Sequence, residues 1–299
     1  IGFLGAKQHK VIDQDPGFTT EYRHDLFVSR DLNFRPTDLE FAPDGSLYVV
    51  DWQNALIGHM QHNARDPNRD HSHGRIYRVT YPSRPLIKPA KIHGASIDEL
   101  LKNLELPELR TRYRTRRELR GRDSEAVINA VVEWSANKDE RLQLEALWVT
   151  WGAGRLHQPL MKKLLKSSNH RIRAAAMNVL RFHFSSVPEG KELLANAAND
   201  DHGRVRMTAA VTASYLPRRL GLETLESTEK HNTSGIYKQT YTYTREVLDR
   251  KPAEVDLKER KIAAPSHLSA KHKKLFIDGS EIYSREGHCI TCHQGNGKG

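Results

Sequence analysis

Three segments of this 299-residue chain repeat one another. Arg141-Leu142-Gln143-Leu144-Glu145-Ala146-Leu147-Trp148 aligns with Arg171-Ile172-Arg173-Ala174-Ala175-Ala176-Met177 and with Arg204-Val205-Arg206-Met207-Thr208-Ala209-Ala210-Val211, at offsets of 30 and 33 residues. A short polar turn precedes each copy: Asn137-Lys138-Asp139, Ser167-Ser168-Asn169 and Asp200-Asp201-His202-Gly203. This period, with small residues on the inward side, predicts helix pairs stacked as an α-solenoid between about 96 and 250. Such a repeat buries its apolar face only against its neighbours, so the array must organise the chain around it.

The first 82 residues follow a different period. Thr37-Asp38-Leu39-Glu40-Phe41 alternates polar and apolar, Ala42-Pro43-Asp44-Gly45 is a turn, and Ser46-Leu47-Tyr48-Val49-Val50-Asp51-Trp52 reads as the returning strand of a hairpin. After a long polar loop, Arg75-Ile76-Tyr77-Arg78-Val79-Thr80-Tyr81 alternates again, and Leu26-Phe27-Val28 reads as a further short strand. Short strands joined by Pro-Asp-Gly turns predict one blade of a β-propeller. One blade cannot bury both its faces, which predicts further residues before Ile1. Residues 83–95 read as a linker bearing Pro and Lys, 96–250 as HEAT-like helical repeats, and 251–270 as a second linker. From about Lys271 an amphipathic helix is expected, with Leu275, Phe276, Ile282 and Tyr283 on its apolar side. The predicted fold class is multidomain α+β, mostly α.

That last helix runs into Cys289-Ile290-Thr291-Cys292-His293, the attachment signature of c-type haem. On one helical turn, sulfurs at i and i+3 face the same way and can each form a thioether to a haem vinyl group. His293 can then present an imidazole nitrogen to the iron as axial ligand. The chain has two cysteines, so neither has another disulfide partner within it. Two rival chemistries fit less well. A thioredoxin-like Cys-x-x-Cys sits in a βαβ context, and no strand pattern precedes this one. A structural zinc site needs four ligands, and His288 and His293 with the two thiols are too close in sequence to wrap a tetrahedral ion.

Composition narrows the partners. Lys and Arg number 47 against 37 Asp and Glu, a net charge of +10, which suits nucleic acid, an anionic surface or an acidic protein. No run of 18 apolar residues exists to cross a membrane. The opening Ile1-Gly2-Phe3-Leu4-Gly5-Ala6 is no signal peptide. Haem c is attached outside the cytoplasm, so the chain reads as a fragment of an exported or periplasmic protein. Its four Met residues, 60, 161, 177 and 207, all precede the haem motif, and six residues follow His293, which agrees with truncation at both ends.

The stretch from Phe34-Arg35-Pro36-Thr37-Asp38, through Pro43-Asp44-Gly45 to Asp51-Trp52, Ile57-Gly58-His59-Met60-Gln61-His62-Asn63, Arg65-Asp66-Pro67-Asn68-Arg69-Asp70-His71 and His73-Gly74-Arg75-Ile76, resembles the closing part of the propeller in membrane-bound dehydrogenases of planctomycete and verrucomicrobial type. Gly279-Ser280-Glu281-Ile282-Tyr283 before Cys289 also resembles the first helix of small c-type cytochromes. In that family a propeller similar to soluble sugar dehydrogenases is followed by a HEAT-like segment and a haem-binding cytochrome c domain, the order found here. The resemblance covers essentially the whole chain and is specific at 34–76 and 279–297. It implies a periplasmic or surface-exposed oxidoreductase that passes electrons from an organic substrate to haem c. Only analogy with sugar dehydrogenases suggests a quinone cofactor such as PQQ in the propeller, and the family supplies no catalytic residues.

Other constellations carry weaker signals. The loop 58–74 holds His59, His62, His71 and His73 with Asp66 and Asp70, a density that suits acid–base chemistry or a divalent metal. His62 and Asp70 are the first candidates, while the bland alternative is a long loop tied down by side-chain hydrogen bonds. Residues 110–122 contain seven arginines in thirteen positions. They could grip phosphates or dock an acidic redox partner. The simpler reading is the solvated face of a helix with Leu109, Tyr113 and Leu119 turned inward. Trp148 and Trp151 read as packing residues within or between repeats, and Tyr237, Tyr241 and Tyr243 carry no functional signal.

Two functional readings follow. In the first the chain belongs to a haem c-linked dehydrogenase oxidising a small organic substrate, such as a sugar or alcohol, and handing electrons to a redox partner protein. In the second, propeller and solenoid form a binding scaffold that carries an electron-transfer cytochrome c without dehydrogenase activity of its own. A nucleic-acid-binding solenoid would sit badly with an exported haem protein. Membrane association would require parts outside this chain.

Overall fold

The computed structural model describes residues 3–54, 67, 70–250 and 264–281. The chain is mixed α and β, about half helical, with small antiparallel sheets. It divides into two units, Ile1–Asp249 and Arg250–Gly299.

The first unit opens with a long hairpin, β1 (Gly5–Gln14) and β2 (Gly17–Val28), joined by a tight turn at Asp15-Pro16. The sequence reading foresaw only its last three residues as a strand. Most side chains of β2 are exposed, so no alternation of apolar and polar residues marks it. A three-stranded meander follows: β3 (Pro36–Phe41), β4 (Leu47–Asp51) and β5 (Arg75–Val79), in spatial order β3-β4-β5. These lie where the alternating segments predicted them. Gly45 closes the first turn at φ +85, a conformation L side chains rarely adopt, while Ala42 N–H donates to the Ser46 carbonyl across it. Strand β4 buries Leu47, Val49 and Asp51. Phe34, Leu47 and Val49 form a small core with Phe27 and Leu4 packed on it. Beside it, Leu39, Phe41, Tyr77 and Val79 share the same face of the sheet and remain substantially exposed. A shallow groove of about 240 Å³ runs between Phe27, Phe34, Val49, Tyr77 and Val79.

Helices begin at Ser96, whose hydroxyl accepts from Glu99 N–H while the Glu99 carboxylate accepts from Ser96 N–H. Ten α-helices are described in this unit: α1 (Ile97–Asn103), α2 (Leu109–Arg120), α3 (Ser124–Ser135), α4 (Glu140–Gly152), α5 (Gln158–Leu164), α6 (His170–His183), α7 (Gly190–Ala198), α8 (Gly203–Ala213), α9 (Arg218–Glu229) and α10 (Gly235–Asp249). The three repeated segments lie on α4, α6 and α8, which pack in succession. Their polar turns supply the caps: the Asp139, Asn169 and His202 side chains each accept a backbone N–H of the helix that follows. Leu144, Ala146, Leu147, Ile172, Ala174, Ala176, Met177, Val205 and Ala209 point into one core that runs from Ala95 to Ala209. Small residues at the contacts let neighbouring helices approach closely. Trp151 stacks on Phe182 of the next repeat at 5.2 Å between ring centroids, which makes it an inter-repeat packing residue. A second cluster, with Ala210, Leu225, Tyr237 and Tyr241, closes the far end.

Helix α2 sits differently from expectation. Leu119 is buried, but Leu109 and Tyr113 are 62% and 51% exposed. The inward stripe is Thr111, Thr115 and Leu119. The reason is Glu145 on α4, buried with a side chain only 3% exposed, whose carboxylate pairs with both Arg112 and Arg116. A buried carboxylate is tolerated only when paired, and reaching it turns the arginine side of α2 toward the core.

In the second unit, α11 (Ala270–Glu281) occupies the position expected for a helix from about Lys271, with Leu275, Phe276 and Ile277 exposed. No helix among the described residues is long and apolar enough to cross a membrane.

Candidate functional site

The segment between β4 and β5, residues 52–74, is bounded by a braced pair of strand ends. Asp51, the last residue of β4, has a fully buried carboxylate. Its Oδ1 accepts from Arg35 N–H at 2.7 Å and Gln53 N–H at 2.8 Å, and its Oδ2 accepts from Arg75 Nε at 2.7 Å. Arg75 opens β5 and reaches Asp31 Oδ2 with Nη1, also at 2.7 Å. One guanidinium therefore ties the loop's return strand to its departure strand and to the segment before β3. The hydrogen bond to Asp31 leads in raising the Arg75 pKa, with Asp51 adding to it against burial. Asn33 N–H and then Arg75 hold the Asp31 carboxyl below its usual value. Gln53 has φ +55, so the chain turns away from β4 in a left-handed conformation that costs about 1–2 kcal/mol in a non-glycine residue. The Asp51–Gln53 hydrogen bond holds that turn.

At the loop's far end Asp70 is similarly engaged. Its Oδ1 accepts from Ser72 N–H at 2.9 Å and His73 N–H at 3.1 Å, and its Oδ2 lies 2.9 Å from His73 Nδ1. The Ser72 N–H leads in lowering the Asp70 pKa to about 2, with the His73 ring and the Ser72 hydroxyl assisting. A carboxyl so acidic is ionised at neutral pH and a poor proton acceptor. His71 and His73 are exposed. His59, His62 and Asp66 lie outside the described residues, so the arrangement of His62 against Asp70 is not part of the description. Among the described residues no group of three or more His, Cys, Asp or Glu is placed to hold a metal ion.

Cys289, Cys292 and His293 also lie outside the described residues. As a donor set, two thiols three positions apart and an adjacent imidazole fit haem c: two thioether anchors and one axial nitrogen.

In the arginine-rich run, ion pairs join Arg110 to Glu40, Arg112 and Arg116 to Glu145, and Arg122 to Glu118. Arg117 lies over the Tyr113 ring. Much of this charge braces α2 against α4 and β3.

Sequence reasoning missed one polar cluster entirely. The hairpin tip between β1 and β2 meets the starts of α6, α8 and α10 through Asp13, Asp15, Arg171, Arg204, His202 and Tyr237. Asp15-Pro16-Gly17 is a turn signal that could have located the tip. Its partners lie more than 150 positions away and leave no local trace.

Residues 6–83 match a family described as a domain of unknown function, DUF7133. The match takes in both sheets, the Asp31–Arg75–Asp51 brace and the His-bearing loop, and ends before α1. No curated protein matches the chain.

Proposed function

We propose that this chain belongs to an exported haem c-containing oxidoreductase that passes electrons from a small organic substrate, a sugar or alcohol, to haem c and on to a redox partner protein. The observation that carries this reading is Cys289-Ile290-Thr291-Cys292-His293, placed after a β segment and an array of helical repeats. In the finer reading, β3–β5 are strands of a propeller blade, α1–α10 are HEAT-like repeats, and α11 begins a cytochrome c domain over 271–299. The exposed apolar side chains beside the small sheet core support the blade, because a propeller blade packs both faces against its neighbours. Successive packing of α4, α6 and α8 supports the repeats.

Cys289 and Cys292 would anchor the haem and His293 would hold its iron; once bound, the haem supplies one-electron transfer. The His-bearing loop is the candidate substrate site. Within it, His62 is the candidate proton acceptor, because Asp70 is held ionised by the turn it caps. Asp70 positions the turn that carries His73. Asp51 and Arg75 fix the loop's two ends. A quinone such as PQQ or a divalent metal remains an analogy with sugar dehydrogenases, without a ligand set among the described residues.

The scaffold reading draws on one specific observation: the carboxylates described around the loop, Asp31, Asp51 and Asp70, are all engaged in hydrogen bonds that hold the fold. Anaerobic mixing of the haem-loaded protein with a panel of sugars and alcohols separates the two. The enzyme reading expects a substrate to reduce the haem, and His62→Ala to abolish that reduction while dithionite still reduces it. Reduction by dithionite alone, across the whole panel, would favour the scaffold.

A further inference from the structure

The tip of the β1–β2 hairpin is held on the helical repeats by a compact polar seam. Tyr237 Oη on α10 donates to Asp15 Oδ2 at 2.9 Å. Arg204 on α8 donates to the Gly17 carbonyl at 2.7 Å, pairs with Asp13 at 2.9 Å, and lies 3.8 Å from the centroid of the Phe18 ring. Arg171 on α6 also pairs with Asp13. The approach is so close that a side chain at Gly203 would run into Tyr237 and Asp15.

Two histidines stack at the centre of this seam. His170, first residue of α6, and His202, cap of α8, lie face to face, with centroids 3.5 Å apart and planes within 3°. His202 Nδ1 accepts from Arg204 N–H at 3.1 Å and stands 3.6 Å from Asp15 Oδ1. His170 Nε2 is buried and has no hydrogen-bond partner among the described residues.

The charges around the pair are uneven. Asp15 faces His202, and the Tyr237 hydroxyl already occupies its other oxygen. Asp13 faces His170 but is shared by two arginines. Arg171 and Arg204 flank the rings with like charge. The His202 Nδ1 that faces Asp15 is already used as the acceptor that caps α8. A proton on His170 meets burial, the stacked His202 ring and two guanidiniums.

We propose that His170, stacked on the His202 cap, is a pH-sensitive latch: the hairpin tip stays on the helices while the His170 ring is neutral and releases when it is protonated. Release would free the hairpin tip from the repeats and leave the Arg110–Glu40 pair between α2 and β3 in place. Burial leads in holding the His170 pKa below its usual 6.5, with His202, Arg204 and Arg171 assisting and Asp13 opposing. The docked form therefore binds fewer protons than the released one. Docking is at full strength above 6.5 and weakens as pH falls below it.

Hydrogen exchange of the whole chain tests this, because a two-stranded hairpin detached from its support is marginal in water and loses protection. After correction for intrinsic exchange rates, protection of residues 11–18 should fall by about threefold or more between about pH 7.5 and about pH 5.5. The interiors of α6 and α8 should keep theirs. His170→Phe preserves a stacked ring without a titrating nitrogen and should flatten the pH profile. His170→Gln should do the same should the larger ring disturb the fold. Equal hairpin protection at both pH values would overturn the latch. So would a loss shared equally by the helix interiors, or a folded His170 variant that keeps the wild-type profile.

Discussion

The two parts of the first unit are held together by different means. The helical repeats share one aliphatic core in which Leu100, Leu147, Met161, Leu164, Met177, Leu180 and Leu194 are fully buried. Among the described residues, the sheet core has three buried apolar side chains, Phe34, Leu47 and Val49, beside a buried Asp51 carboxylate bridged by Arg75 to Asp31. Burying a leucine side chain contributes about 2 kcal/mol wherever the contacts are good. A buried ion pair contributes little net stability, yet is severely disruptive when half of it is removed. The helical array is thus built for tolerance, with many interchangeable contributions. The sheet region concentrates its stability at the strand ends that bound the His-bearing segment, so its fold and its candidate site are hard to separate.

The sharpest way to break the comparison is Arg75→Leu. It leaves the Asp51 carboxylate buried without its cation and should cost about 3–5 kcal/mol, read as lost protection of β4 and β5 in hydrogen exchange. A loss below about 1 kcal/mol would mean that charge does not hold the sheet. In the repeats, Leu147→Ala should cost about 3 kcal/mol by denaturant unfolding and leave the fold intact, since the cavity opens in a broad core. At Phe41, which is 61% exposed, a change to Ser should move stability by about 0.5 kcal/mol or less in this chain. A much larger loss would show that something covers that face. The smallest effect concerns the loop. Asp70, lowered to about 2 against 3.8, binds fewer protons in the folded turn than when unfolded. Its contribution is fully present above 3.8 and is lost as pH falls toward about 2. An NMR titration of the Asp70 carboxyl should place its midpoint near 2, and a midpoint near 3.8 would dissolve the turn assigned to 70–74.

Much of this architecture could be read from periodicity alone. The repeat offsets placed α4, α6 and α8, and Asp139 and Asn169 announced their helix starts. The alternation around Pro43-Asp44-Gly45 placed β3 and β4. What escaped reading is what depends on distant partners. Residues 110–122 suggested a helix, but its inward face was misjudged, because only the packed structure brings Glu145 beside Arg112 and Arg116. The β1–β2 hairpin went largely unread because its strands are charged on both faces. Tyr237 looked inert until Asp15 came within reach of its hydroxyl. The candidate site divides the same way. The Cys-x-x-Cys-His run is a local signal in the sequence, and its residues lie outside the described ones. The role of Asp70 as a turn holder appears only from its hydrogen bonds.

Covalent haem attachment is the most direct test of the functional account. The chain should be produced with the c-type haem maturation machinery, denatured and extracted with acidified organic solvent. The account predicts that the haem absorbance stays with the polypeptide, that Cys292→Ala changes the spectrum to that of a single thioether, and that Cys289→Ala with Cys292→Ala removes the haem altogether. Haem that extracts completely from the wild-type chain, or a Cys292→Ala protein with unchanged stoichiometry and spectrum, would contradict it.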